Sequence, residues 1–269
     1  MKWMNIKFDL FPGGKKKALT MSYDDGQIFD RELVAIFNRY GIKATFHLNS
    51  GKLDEEGFVS SREVADLYRG HEVAVHTRTH PFLDCIPNEA VVEEIVDDRK
   101  HLESLVGYPV KGMSYPFGVY NDKIVNMLSG LGIEYSRTVI THHDFYIPEN
   151  FLTWNATCHH DDDLIETGRR FLNYEYDGKL KLMYVWGHSF EFDRNDNWNV
   201  IEEFCSMMAG HDEIWYATNI SIVRYVKALR ALEFSANGDI VYNPSAISVC
   251  INADNKAVEI EGGQIVRLR

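Results

Sequence analysis

Apolar positions fall in short β-branched and aromatic runs that alternate with longer amphipathic runs, from the start of the chain to about residue 235. The short runs at 18–23, 42–49, 71–77, 110–115, 133–139, 181–186 and 213–218 read as strands, with 151–158 an irregular extended segment between the fifth and the sixth. The amphipathic runs at 30–40, 62–68, 88–106, 122–131, 163–174, 200–208 and 220–232 read as helices. This rhythm implies a parallel sheet or barrel, because each helix returns the chain to begin the next strand in the same direction. The run 88–106 is the clearest helix: Asn88 is placed to cap it, Glu93 and Glu94 come early against the positive dipole end, and Gly107 ends it. After Leu232 the texture changes to Asn-Gly, Asn-Pro and Gly-Gly turns between short alternating strands. The pattern predicts a barrel over 1–235 and a small β-rich extension over 236–269 packed on it.

Composition narrows the class. With 269 residues, 45% of them apolar and 25% charged, the chain is long enough to bury a large core and is neither disordered nor fibrous. A formal net charge of -12 argues against a nucleic-acid partner, which needs a basic stripe. The one dense basic run, Lys15-Lys16-Lys17, reads as a solvated turn before the first long strand. The four cysteines show no paired spacing, which suits reduced and mostly buried thiols. No apolar run has the length of a signal peptide or a membrane span, so a cytoplasmic location is the default expectation.

In a parallel barrel, functional side chains gather where strands end, because those ends open onto one face. Asp24 and Asp25 follow the first strand, His76 ends the third with His80 in its loop, Tyr115-Pro116-Phe117-Gly118 follow the fourth, and Gly187-His188 follow the sixth. His76 and His80, at i and i+4, can reach one ion, and Asp25 adds a hard oxygen ligand. Two nitrogens and one carboxylate leave open positions for water and substrate, as a catalytic metal site needs, and accept Zn2+, Co2+, Ni2+, Mn2+ or Fe2+. Asp24 reads either as a turn-forming carboxylate beside a ligand or as the general base for an attacking water. His188, with a pKa ordinarily near neutral, reads as the acid that protonates the leaving group.

These residues resemble the polysaccharide deacetylase family, the carbohydrate esterases with a NodB-type homology domain. Ser22-Tyr23-Asp24-Asp25-Gly26 is similar to its first motif, and His76-Thr77-Arg78-Thr79-His80 fits its second, H-[ST]-x-x-H. Tyr115-Pro116-Phe117-Gly118 resembles the end of its third motif, and Trp186-Gly187-His188 stands where the histidine of the fifth is expected. The resemblance implies a deformed (β/α)7 barrel and a divalent metal, most often Zn2+, on Asp25, His76 and His80. It also implies Asp24 as base, His188 as acid, and hydrolysis of N- or O-acetyl groups on a carbohydrate, with the backbone N–H of Phe117 as an oxyanion donor.

The chain departs from the family pattern in two places. Ser114 stands where the third motif begins with an arginine that steadies the catalytic aspartate. Arg137, at the end of the fifth strand, is either its replacement, paired with Asp24, or an ordinary surface arginine. Of the fourth motif only Trp154 survives, and its missing Asp leaves open which group orients His188; Glu191 lies three residues on. Trp154, Trp186 and Tyr115 either line the sugar pocket or fill the core. The run 159–163 either supplies an orienting carboxylate or is a solvated loop, and the adjacent pair His142 and His143 faces opposite ways on a strand. Two other functions fit the same motifs: an amidohydrolase acting on a small nitrogenous metabolite, and a catalytically inert carbohydrate-binding relative. The oligomeric state is not legible.

Overall fold

The computed structural model describes residues 4–268. Its strands are β1 (Ile6–Lys7), β2 (Lys17–Asp25), β3 (Ala44–Leu48), β4 (Glu72–Val75), β5 (Gly112–Ser114), β6 (Tyr135–Thr141), β7 (Trp154–Ala156), β8 (Cys158–His159), β9 (Lys181–His188), β10 (Ile214–Tyr216), β11 (Glu233–Phe234), β12 (Ile240–Tyr242), β13 (Val249–Ala253), β14 (Lys256–Ile260) and β15 (Ile265–Arg267). The helices are α1 (Asp30–Tyr40), α2 (Val64–Leu67), α3 (Asn88–Val106), α4 (Asp122–Leu128), α5 (Leu164–Leu172), α6 (Ser189–Arg194), α7 (Trp198–Met208) and α8 (Asn219–Arg230).

The parallel strands pair in the order β7-β6-β5-β4-β3-β2-β9-β8. Because β7 and β8 are one extended run divided at Thr157, this order closes on itself. Arg137 and Thr141 of β6 pair with Trp154 and Ala156, whereas Cys158 and His159 pair with Val185 and Trp186 of β9. The run thus changes partner at Thr157, whose N–H donates to Tyr184 O at 2.8 Å. Together β7 and β8 make the seventh position of a (β/α)7 barrel. The segment expected to be merely irregular is therefore the closing element. Strand β10, expected as a regular barrel strand, pairs only with Lys17–Leu19 at the start of β2, below the point where β3 begins at Met21↔Ala44.

Along β2 the even positions Thr20, Ser22 and Asp24 face the lumen network, while Leu19, Met21 and Tyr23 join the main core cluster under the helices. The same alternation in β3 places Thr45 and His47 on the lumen side and Phe46 and Leu48 on the core side. The N-terminus of α8 plugs the far mouth of the barrel: the Ile220 N–H donates to Glu72 Oε2 and the Asn219 side chain bonds Thr20 and Tyr184. Thr45 and Tyr135 also donate to Glu72, at 2.9 and 2.8 Å. A Cβ on Gly112 would meet the Tyr135 hydroxyl at 2.1 Å, so this ring reaches Glu72 only over a glycine.

Beyond α8, β11 pairs with β12 and β12 with β15, while β13 pairs with both β1 and β14, all antiparallel. Val241, Val249, Ile251 and Ile260 from these strands share a second apolar cluster with α8 and with Trp154 and Tyr184. Two local expectations are corrected, and the one that most thiols are buried is met. Pro87, not Asn88, occupies the cap of α3 and offers no side-chain bond, because Asn88 is already the first helical residue. Lys17 is buried inside β2 rather than solvated, its ammonium donating to Leu172 O at 2.6 Å. Cys85 is exposed, whereas Cys158, Cys205 and Cys250 are buried. Among the described residues no helix is long and apolar enough to cross a membrane.

Candidate active site

The C-terminal ends of β2, β4, β5 and β9 bring the expected residues to one mouth of the barrel. Asp25 closes β2 with a left-handed backbone, φ 81°, and Gly26 follows at φ 72°, so the chain turns sharply and leaves the carboxylate at the rim. Thr77 and His80 also have positive φ, and this double reversal folds the His76–His80 loop back on itself. Their rings lie 4.7 Å apart, and each Nε2 faces Asp25 Oδ1, at 3.7 Å from His76 and 3.8 Å from His80. Asp25 Oδ1 is buried and has no hydrogen-bond partner. A buried carboxylate oxygen facing two imidazole nitrogens without a bond to either is what a cation between them would satisfy.

His76 is held from behind. Its Nδ1–H donates toward Ser114 O at 3.0 Å and Ser114 Oγ at 2.7 Å, which leaves the Nε2 lone pair toward Asp25. Its backbone N–H donates to Asp98 Oδ2 at 3.1 Å, and Asp98 Oδ1 also accepts from Ser50 N at 2.6 Å. Burial pushes the His76 imidazole well below the ordinary histidine range, so the ring is neutral.

Asp24, only 3% exposed, points into the lumen beside this group. Its Oδ2 accepts from Arg137 Nη2, and its Oδ1 accepts from Ser114 Oγ at 3.2 Å and faces His47 Nδ1 at 3.3 Å. Burial raises its pKa, but Arg137 foremost, with the hydrogen bond from His47, outweighs burial and holds the carboxyl well below the usual range. Arg137 is fully buried, its guanidinium 4.3 Å from the centre of the Trp186 ring. The surface alternative for this arginine is therefore excluded. Ser114 occupies the expected arginine position and contributes a hydroxyl to the same carboxylate.

His188, the register partner of Asp24 on β9, has Glu191 as its neighbour: both the His188 N–H and Nδ1 lie 3.1 Å from Glu191 Oε2. The short helix α6 returns Glu191 beneath the ring, a turn that the sequence pattern did not predict. Burial lowers the His188 pKa, but Glu191, Asp24 and Asp25 raise it above the ordinary value in balance.

The aromatic candidates divide. Trp154 and Tyr115 are core residues: Trp154 packs between Tyr135, Phe151 and Tyr184, and the buried Tyr115 donates to Leu152 O at 2.7 Å. Both rings are closed off from solvent, and Pro116 is buried as well. Trp186 is nearly buried and backs Arg137. Phe117 is half exposed and lies edge-on to His80, with ring centres 4.4 Å apart. It stacks on Phe82 at 3.9 Å and 9° between planes, so an aromatic shelf flanks the ion-binding loop. Phe82, His47 and Asp98 were not identified from sequence.

The model of the polysaccharide deacetylase family matches residues 12–136, from just before β2 into β6. A peptidoglycan-N-acetylglucosamine deacetylase of Bacillus cereus is 29% identical over 109 residues, covering 40% of this chain and 39% of that protein. A chitin deacetylase of Pestalotiopsis sp is 26% identical over 162 residues, covering 59% of this chain and 48% of that protein. The match thus spans less than half the length of either relative. The structure of the peptidoglycan deacetylase PdaC from Bacillus subtilis shares the fold with a TM-score of 0.55 at 17% identity, covering 82% of this chain and 95% of that one. With four barrel strands and both pairs of rim residues inside the matched stretch, residues 12–136 resemble the polysaccharide deacetylase family across the part of the barrel that holds Asp24, Asp25, His76 and His80.

Proposed function

We propose that the protein is a divalent-metal-dependent hydrolase that removes N- or O-acetyl groups from a carbohydrate. The observation that carries this reading is the unsatisfied Asp25 Oδ1 facing Nε2 of both His76 and His80, with Asp24 and His188 on the adjoining strand ends. Asp25, His76 and His80 would hold the ion, most suitably Zn2+, since two imidazoles and one carboxylate match its preferences. When bound, such an ion supplies Lewis acidity at the acetyl carbonyl and the attacking water.

The protein's own groups supply the proton transfers. Asp24, kept ionised by Arg137 and oriented by Ser114, accepts the proton of the attacking water. His188 has Nδ1 engaged by Glu191, so Nε2 is the atom left to protonate the departing nitrogen or oxygen. The Phe117 backbone N–H serves as oxyanion donor, and the Phe82–Phe117 shelf packs against sugar C–H faces. Of the expected hydrolase barrel over 1–235 and extension over 236–269, the described residues 4–235 form the barrel part on this reading and 236–268 the extension on its flank.

Acetate release from acetylated glucosamine oligosaccharides, compared between wild type and Asp24→Asn, tests the proposal. The expected result is release by wild type and a loss of at least about 100-fold in the variant. Undiminished turnover in Asp24→Asn would remove the base assignment. A wild type that cleaves only small non-carbohydrate amides would replace the substrate class.

A further inference from the structure

A second group of potential ligands lies behind His188, outside the group of Asp25, His76 and His80. His159, His160, Asp161 and Glu191 each present one nitrogen or oxygen, all within 4.8 Å of one another. Adjacent histidines on a strand point apart, but β8 ends at His159 and the chain turns at His160, so both rings face the same carboxylate, 4.4 Å apart. Glu191 Oε2 is 3.1 Å from His159 Nε2 and 3.3 Å from His160 Nε2, and His160 Nε2 is 3.5 Å from Asp161 Oδ1. Ligands held about 2.0–2.1 Å from a tetrahedral ion are separated by about 3.3–3.4 Å, the middle of this range.

The independent sign of a ligand is His160. It is 2% exposed, and neither of its ring nitrogens has a hydrogen-bond partner, although a neutral imidazole always carries one N–H. The ring lies between Tyr23 and Phe192 and above Gly187, where a Cβ would meet His160 Nδ1 at 2.1 Å. Packing on three sides thus leaves Nε2 directed at the Glu191 and Asp161 oxygens.

We propose that His159, His160, Asp161 and Glu191 form a second divalent-metal site, built from two imidazoles and two carboxylates and suited to Zn2+, Co2+ or Ni2+ rather than Ca2+. Ligation through His159 Nε2 moves that ring's proton to Nδ1 and gives up its 3.2 Å contact with Asp161 N. Ligation through Glu191 Oε2 competes with His188, which uses the same oxygen. The consequence, which rests on the acid role proposed for His188, is that metal at this second site inhibits turnover.

Cobalt titration of the metal-free full chain, followed by visible absorption and by equilibrium dialysis, tests the site. Wild type should bind two Co2+, and His159→Gln/Asp161→Asn one; Asp25→Asn/His80→Asn should keep the band of the second site. His159→Gln and Asp161→Asn singly should each weaken that band's affinity at least tenfold, with circular dichroism checking the fold. A wild type that binds one ion, or a His159→Gln/Asp161→Asn variant that still binds two, overturns the proposal. Inhibition by excess Zn2+ should be relieved in His159→Gln/Asp161→Asn. A wild type that binds two ions but releases no acetate defeats the deacetylase reading and leaves the second site standing.

Discussion

The Arg137 guanidinium lies between the Asp24 carboxylate and the face of Trp186, and both charged groups are withdrawn from water. Breaking one half of a buried pair leaves the other charge uncompensated. Arg137→Met should therefore lower stability by about 3–5 kcal/mol in urea unfolding and reduce acetate release at least about 100-fold. Arg137→Lys keeps the charge but loses the planar fork that reaches both Asp24 and Thr138 O, and should fall between the two. Asp24→Asn combined with Arg137→Met should recover much of the stability and none of the activity.

His188 carries a prediction about pH. Burial alone would lower its pKa, and Glu191 with Asp24 and Asp25 raises it above the ordinary value. An acid must hold its proton, so activity should be present below the raised pKa and fall as pH climbs through it. Glu191→Gln removes the negative charge and should move the alkaline limb of the kcat/KM profile to lower pH. An unmoved limb would mean that Glu191 does not set the proton affinity of His188.

How far the site could be read in advance follows from where its parts lie. Asp24-Asp25 and His76–His80 are neighbours in the chain at ends of well-alternating strands, so spacing alone groups them. His47 and Ser114 sit within β3 and β5, and their approach to Asp24 exists only once the barrel sets strand against strand. Arg137 could be anticipated from the strand end expected there, although it lies four residues before β6 ends and burial was needed to exclude a surface position. Strands β7 and β8 are too short, at three and two residues, to show a period, which is why the closing element read as irregular. Helix α6, with six residues, went unread for the same reason, although Glu191 was already in view as a partner for His188 from its spacing.

Removing the ion should abolish acetate release and lower thermal stability, because an ion bound only by the native state stabilises it by mass action. At 100 times its dissociation constant the effect is about 2.7 kcal/mol, worth roughly 5 °C or more in a chain of this size. Asp25→Asn should be inactive and lose the share of the Zn2+ midpoint gain that comes from this site, keeping the share of the second site. Retention of the full gain would place the ion elsewhere.

Phe82→Ala tests the aromatic shelf. Phe82 is 49% exposed and supports Phe117 from outside the lumen, so its loss should spare proton transfer. With stacking worth about 0.5–1.5 kcal/mol, KM for oligosaccharides should rise roughly 2- to 12-fold while kcat changes little. An unchanged KM for sugars of every length would remove the shelf from substrate binding.

Glu72, at the opposite mouth, tests the polar plug of the barrel independently of catalysis. Three donors, from Thr45, Tyr135 and Ile220, favour its ionised form, yet burial outweighs them and pushes its pKa up to about 7. An acid whose folded pKa exceeds its unfolded value binds more protons in the native state between those values. Its stabilising contribution is therefore complete below about pH 4 and is lost as pH rises through 7. Glu72→Gln cannot titrate, so the difference in unfolding free energy between wild type and variant should drift by up to about 3 kcal/mol from pH 4 to 8, in favour of the variant at the higher pH. Urea unfolding at several pH values measures this drift, and a difference that stays flat would mean that Glu72 has the same proton affinity folded as unfolded.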